Sequence, residues 1–416
     1  MTSDFLTSLR TRHDKGGTDA LVSVCSAHPM VIEAALLHGA ARQQLVLIEA
    51  TCNQVNQEGG YTGMTPADFR DYVFAIADRV GFDRAQIILG GDHLGPNPWK
   101  SLPADEAMQK ASDMIAAFAA AGFVKLHLDA SMGCKGEPAH LSDSVVAERA
   151  VTLARRAESV AAGQAVYVIG TEIPTPGGAT EALDHVVPTT PDAVRDTYQV
   201  HEQAFRAALP DAWSRVIGIV VQPGVEFGHE DVAVYAPQAA RALVATLGDL
   251  PGLVFEAHST DYQPGEALAQ LRRDGFRILK VGPELSFALR EALYGLDAIR
   301  CFLDPEAVPL IAVMEQVMLQ SPGNWQSHYP GDAHTQRILR HFSYSDRIRY
   351  YWPASEAEKA VTALMQSLDG VALPETMISQ YLPRLFERVK SGALAADPKT
   401  LLLQSVRDVL DRYETL

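Results

Sequence analysis

The chain alternates between short apolar runs and longer amphipathic stretches, and the alternation repeats eight times. The runs are LVSVCSAH (21–28), LVLIEAT (45–51), QIILGGDH (86–93), VKLHLDAS (124–131), AVYVIGTE (165–172), VIGIVVQPG (216–224), GLVFEAHS (252–259) and RILKVGPE (277–284). Most are continuously apolar, as parallel strands covered on both faces must be. Each ends in a polar or Gly/Pro cluster. The intervening segments carry helical periodicity and helix-start signals. Thr65-Pro66-Ala67-Asp68 reads as an N-cap, a first-turn proline and an early acid, and Thr190-Pro191-Asp192 repeats that grammar. The stretch from Ala104 to Gly122 ends at glycine, as helices do. Eight βα units predict an α/β fold, a (β/α)8 TIM barrel with a C-terminal all-helical extension. A doubly wound open sheet is the rival, and it has no reason to carry polar residues at so many strand tips.

After Glu284 the alternation stops. Leu285 to Leu296 is the expected last barrel helix, and the remainder predicts helices alone at 305–320, 333–349, 354–368, 374–391 and 398–414. The expected division is a barrel over 1–300 and a helical extension over 301–416, packed on the barrel or on a partner.

Composition narrows the function classes. A net charge of -16 without a basic stripe argues against nucleic acid and anionic membrane. An opening segment without an apolar core, and no apolar stretch of about 18 residues, predict a cytoplasmic protein. Its four cysteines are widely spaced and form no CxxC pair, which fits reduced thiols. No GxxxxGK[ST] loop or dinucleotide fingerprint occurs, so a kinase reading lacks local support.

Candidate chemistry lies at the strand tips, because a barrel gathers them at one mouth. Asp92-His93 ends the third run, Glu172 the fifth, and His258 the seventh, while His229 follows the sixth. Three imidazoles and a carboxylate suit a divalent ion, with Zn2+ the expected one. Asp92 or Glu172 would then move protons. Glu181 is a second acid in the loop after Glu172. Asp129 ends the fourth run, as a second cation ligand, a histidine-orienting group or a loop cap. Ser259 and Thr260 offer hydroxyls, and Arg347 and Arg349 in the tail are candidate anion ligands. Lys280 ends the eighth run and raises a Schiff-base route as a rival. His28, His38 and His127 are lesser candidates; His127 falls inside a strand, where a core histidine is the commoner occupant.

Three strings, IEATCNQVNQEGGYTGMTPADF (48–69), GGDHLGPNPW (90–99) and SDRIRYYWP (345–353), resemble the tagatose-bisphosphate aldolase Z-subunit family, GatZ/KbaZ-like, over essentially the whole chain. That family is related to the class II, metal-dependent aldolases. The resemblance implies Asp92 as catalytic aspartate, His93, His229 and His258 as metal ligands, and Glu172 as the acid near the metal. It also shows departures. Glu230 follows His229 where the catalytic aldolases have glycine. Ser259-Thr260-Asp261-Tyr262 replaces a Gly/Ser phosphate cradle, and Gly282-Pro283-Glu284-Leu285 replaces a phosphate clamp. The metal site looks kept and the phosphate site remodelled.

Two functions are therefore expected. One is a metal-dependent ketose or ketose-phosphate lyase or C4-epimerase of tagatose and galactitol metabolism, acting by retro-aldol chemistry on a tagatose 1,6-bisphosphate-like substrate. The alternative is a non-catalytic accessory subunit supporting a separate aldolase subunit. A homo-oligomer is expected in either case.

Overall fold

The computed structural model describes residues 2–171, 178, 183 and 186–414. Eight parallel strands close into a barrel: β1 (Leu21–Val24), β2 (Val46–Thr51), β3 (Ile87–Leu94), β4 (Lys125–Leu128), β5 (Val166–Ile169), β6 (Val216–Val220), β7 (Val254–Ala257) and β8 (Phe276–Val281). β1 pairs with β8 and closes the ring. Every strand begins within two residues of its expected run and lies inside or beside it. The longest register, Val46↔Ile87 through Thr51↔Asp92, carries β3 furthest toward the mouth. A small hairpin, Glu226–Phe227 with Val232–Ala233, follows β6.

The helix-start signals behave as their chemistry requires. Thr65 caps the Pro66–Val80 helix in a reciprocal box with Asp68, and Thr190 accepts a hydrogen bond from the Ala193 N–H. The last barrel helix runs further than its apolar pattern suggests, over Pro283–Leu303.

Period-two alternation sorts the inside of the barrel into two layers. Leu21, Leu47, Ile88, Val166, Ile217, Val254 and Ile278 form an apolar lower cluster. Leu6 and Leu9 join it from an N-terminal helix, Thr2–Asp14, which the pattern did not announce. Only those two positions of the helix are fully buried, so its amphipathic signature is weak. Arg10 anchors it by donating to the carbonyls of Leu247, Leu250 and Leu253. On four of the strands the inward position two residues further along turns polar: Ser23 after Leu21, Glu49 after Leu47, Glu256 after Val254 and Lys280 after Ile278.

The extension is helical, as expected, with two corrections. The segment expected over 333–349 stops at Phe342 and resumes as a short 3-10 turn, Arg347–Tyr351. The segment expected over 374–391 breaks at Leu382, because Pro383 cannot continue the first helix and instead starts the second. Between residues 343 and 352 the chain crosses the barrel mouth as a strap. Tyr344 packs on Tyr262 after β7, Tyr350 on Tyr61 after β2, and Trp352 on His28 after β1. Asp346 pins the strap by accepting from Arg290 Nε at 3.0 Å and Ser286 Oγ at 2.6 Å, all buried.

Candidate active site at the barrel mouth

The floor of the site is a closed square of alternating buried charges. Lys125 Nζ lies 2.7 Å from Glu49 and 2.8 Å from Glu256. Lys280 Nζ lies 3.0 Å from the other Glu49 oxygen and 3.2 Å from Glu256. Lys280 also bonds Asp92. The four corners come from β4, β2, β8 and β7. Gly90 makes the square possible, since a Cβ there would meet Glu49 Oε1 at 2.7 Å. Three carboxylates against two ammonium groups leave one negative charge in excess.

Above the square stand three imidazoles, those of His93, His127 and His258. Their ring centroids are 5.0–5.1 Å apart in every pairing. His93 shares Nδ1 with Asp129 Oδ2 at 2.8 Å, and Asp129 is further held by Ser131. Burial opposes the charged His93, but the Asp92 and Asp129 carboxylates outweigh it and raise its pKa. Burial works against ionised Asp129 too, yet the His93 hydrogen bond holds it down at about 2. Asp92 lies well below the carboxylate range despite burial, because His93, Lys280 and His127 surround it. His258, buried beside the Lys280 ammonium, is pushed down to about 3 and stays neutral. Its Nε2 meets Glu256 Oε1 at 2.9 Å. His127 Nδ1 meets Asp92 Oδ1 at 2.8 Å, while its Nε2 is buried with no hydrogen-bond partner. His93 itself is held at φ 49, a strained conformation at the tip of β3.

The expected residues divide by position. Asp92, His93, His258, Ser259 and Lys280 line one pocket of about 90 Å3 with Cys25, Thr51, Asn53, Gln54, Tyr61, Asp261 and Arg349. Asp129 stands behind His93. Thr260 does not line the pocket: its hydroxyl donates to the Lys280 carbonyl and meets Tyr413. Arg347 turns away to the Asn324 carbonyl. His229 does not join the imidazole triangle, because Nδ1 bonds Ser343 at 3.1 Å and the ring packs on Tyr329. The third ring is His127. Glu172 and Glu181 lie outside the described residues. His28 caps the Pro29–Arg42 helix, and His38, on that helix, faces Asp411 of the Pro398–Tyr413 helix. Lys280, committed to three carboxylates and with its pKa raised by them in spite of burial, is held as an ammonium ion and is a poor amine nucleophile.

Sequence reasoning passed over Glu49, Lys125 and Glu256 and ranked His127 low. The signal was present: a charge inside the apolar part of each of LVLIEAT, VKLHLDAS and GLVFEAHS, at Glu49, Lys125 and Glu256. A charge buried in an apolar strand must find an opposite partner.

These residues fit a divalent cation. Asp92, His127, Glu256 and His258 each offer a ligand atom within 4.8 Å of the others. The partnerless His127 Nε2, the excess negative charge and the Asp129-oriented His93 point the same way.

The D-tagatose-1,6-bisphosphate aldolase subunit GatZ/KbaZ-like family matches residues 6–416. The chain belongs to that family. A crystal structure described as a probable tagatose 6 phosphate kinase from Sinorhizobium meliloti 1021 is 57% identical, with a TM-score of 0.89, over 95% of this chain and 99% of that one. The native fructuronate-tagaturonate epimerase UxaE from Cohnella laeviribosi is 14% identical, with a TM-score of 0.50, over 95% of this chain and 81% of that one. At that identity the likeness shows the shared fold alone. Among the described residues no helix is long and apolar enough to cross a membrane.

Proposed function

We propose that the chain is a metal-dependent enzyme acting on a ketose or ketose phosphate by retro-aldol chemistry. The observation that carries this reading is the imidazole triangle of His93, His127 and His258 beside an ionised Asp92 on the pocket floor. His93, His127 and His258, with Glu256, would hold the cation, with Asp92 beside it as the proton carrier, and Zn2+ suits that nitrogen and oxygen set. When bound, the cation supplies Lewis-acid stabilisation of negative charge on the ketose oxygens.

Asp92 accepts the C4 hydroxyl proton. The C3–C4 bond breaks, and its electron pair passes into the C2 carbonyl as an enediolate. Transfer of that proton from Asp92 to C3 completes cleavage. Return of C3 to the other face of the aldehyde, with Asp92 giving its proton back, inverts C4. Lys280 keeps Asp92 ionised and oriented, and Asp129 fixes the His93 ring. Glu172 retains its proposed share of ligation or proton transfer, and His127 takes the ligand place first expected of His229. Each is tested by substitution. The family's subunit description supports a second reading, in which the chain assists a separate aldolase subunit.

The test is metal analysis of the purified protein, then assay of it alone on tagatose 1,6-bisphosphate, tagatose and fructose. Stoichiometric metal and turnover, both lost in His258→Ala, are expected. Protein without metal or turnover favours the accessory reading, and His258→Ala with full activity removes the chemistry from this mouth.

A further inference from the structure

Two walls of the pocket treat negative charge in opposite ways. On the β7–β8 side, the Pro283–Leu303 helix points its first N–H groups at the pocket. Such a terminus ordinarily receives an anion. Here Asp261, 2% exposed, already occupies it: Oδ1 accepts from the N–H of Gly282 at 2.9 Å and of Glu284 at 2.8 Å. Pro283 between them has no N–H to offer. Glu284 adds a second acid there, itself tied to Arg412 and to the Tyr262 N–H. The oxygen fills the donor set whatever its protonation state, and the C-terminal helix braces it, since Tyr413 donates to the Thr260 carbonyl at 2.9 Å.

On the β2 side, the strap brings a guanidinium to the pocket. Arg349 donates to the Ser345 and Asp346 carbonyls and to the Tyr350 hydroxyl, and stacks on the Tyr350 ring. Among the described residues no carboxylate lies within ion-pair distance of it, although it lines the same pocket as Asn53, Gln54 and Tyr61. The guanidinium is half-buried and its charge is upheld by the field of Tyr350, Tyr61 and Asp346, yet no carboxylate among the described residues pairs with it directly, so an anionic ligand group can.

We infer that the pocket is one-ended for charge: Arg349 receives a single terminal anionic group of the substrate, and Asp261 closes the second anion position. The substrate class is a ketose with one anionic end, phosphate or carboxylate, and not a bisphosphate. This deepens the ketose reading above and rests on it, although the Arg349 site itself does not.

Calorimetric titration of the full chain tests it, with inorganic phosphate, tagatose, tagatose 6-phosphate, tagaturonate and tagatose 1,6-bisphosphate as probes. The expected results are a singly anionic sugar at least tenfold tighter than tagatose, and a bisphosphate no tighter than the monophosphate. Arg349→Gln should bring the singly anionic sugars to the level of tagatose. Arg349→Lys, which keeps the charge, should retain part of the gain and so exclude misfolding. Asp261→Ser should tighten the bisphosphate relative to the monophosphate. The tighter of tagatose 6-phosphate and tagaturonate names the anion. A wild-type preference of tenfold or more for the bisphosphate overturns the proposal, as does Arg349→Gln binding like wild type. Arg349-dependent phosphate binding without any sugar binding keeps the anion site and removes the ketose reading. Sugar binding indifferent to Arg349 does the reverse.

Discussion

The lower and upper halves of the barrel interior are built on the same strands, two residues apart, and are chemically opposite. The lower half is aliphatic and sealed by Leu6 and Leu9. The upper half holds a square of lysines and glutamates under three histidines and Asp92. An aliphatic layer contributes stability through burial and tolerates conservative exchange. An ionic layer contributes little net stability but penalises the loss of any one member, because the partner is left charged and buried. Stability and the proposed chemistry are thus stacked along the barrel axis, and the contrast can be tested from either end.

The largest effect is expected at Asp92. Asp92→Asn keeps the side-chain shape but removes the proton acceptor, and kcat should fall by about 10²–10⁴-fold with the fold retained by circular dichroism. An unchanged kcat would separate the upper layer from catalysis. Next, Lys125→Met opens the square and strands Glu49 and Glu256 without that ammonium. Urea unfolding should show a loss of about 3–5 kcal/mol. A variant as stable as wild type would mean that the square is ordinary packing.

Asp129→Asn should weaken divalent-metal affinity by about 10–100-fold, read by competition with a chelator, since the His93 ring loses its orienting carboxylate. Chelated protein gives the pH arm. His258 is neutral in the fold, with a pKa near 3, but protonates at about 6.5 when unfolded. A depressed folded pKa contributes stability above the unfolded value and loses it as pH falls. Between pH about 6 and 4 this histidine should steepen the decline by about 1.4 kcal/mol per pH unit. His258→Asn should flatten the slope by that amount, and an equal slope in both proteins would contradict the neutral assignment. The smallest effect belongs to the lower layer. Ile278→Val should cost about 0.5–1.5 kcal/mol and leave metal affinity and turnover unchanged.

Much of the architecture was legible because its signals are local. Continuous apolar runs identify parallel strands, and Thr65 and Thr190 announce helix starts through their own hydroxyls. The N-terminal helix was not legible, since two leucines among polar residues have meaning only against an open barrel end. The tail breaks were partly legible: Pro383 was visible, but the turn at Arg347–Tyr351 answers to the mouth it crosses.

At the site, residue types and strand-tip positions were readable for Asp92, His93 and His258. Asp129 was readable as a histidine-orienting group, and it holds His93; the other partners were not readable. Whether a histidine near a strand end faces the axis depends on where the chain turns. His229 lies beyond β6 on a loop that packs against Tyr329 and Ser343, whereas His127 lies within β4, where the pleat directs it inward. The amino-acid sequence by itself determined the barrel, the order of its units and the inventory of acids, imidazoles and lysines, because these follow from periodicity and side-chain chemistry. Tertiary structure alone decided which imidazoles meet, how Glu49, Lys125, Glu256 and Lys280 neutralise one another, and that Asp261 occupies a helix terminus while Arg349 reaches the mouth. Those outcomes depend on closure of the ring and on a strap about 90 residues further along the chain than Asp261, and so on distances that no local pattern encodes.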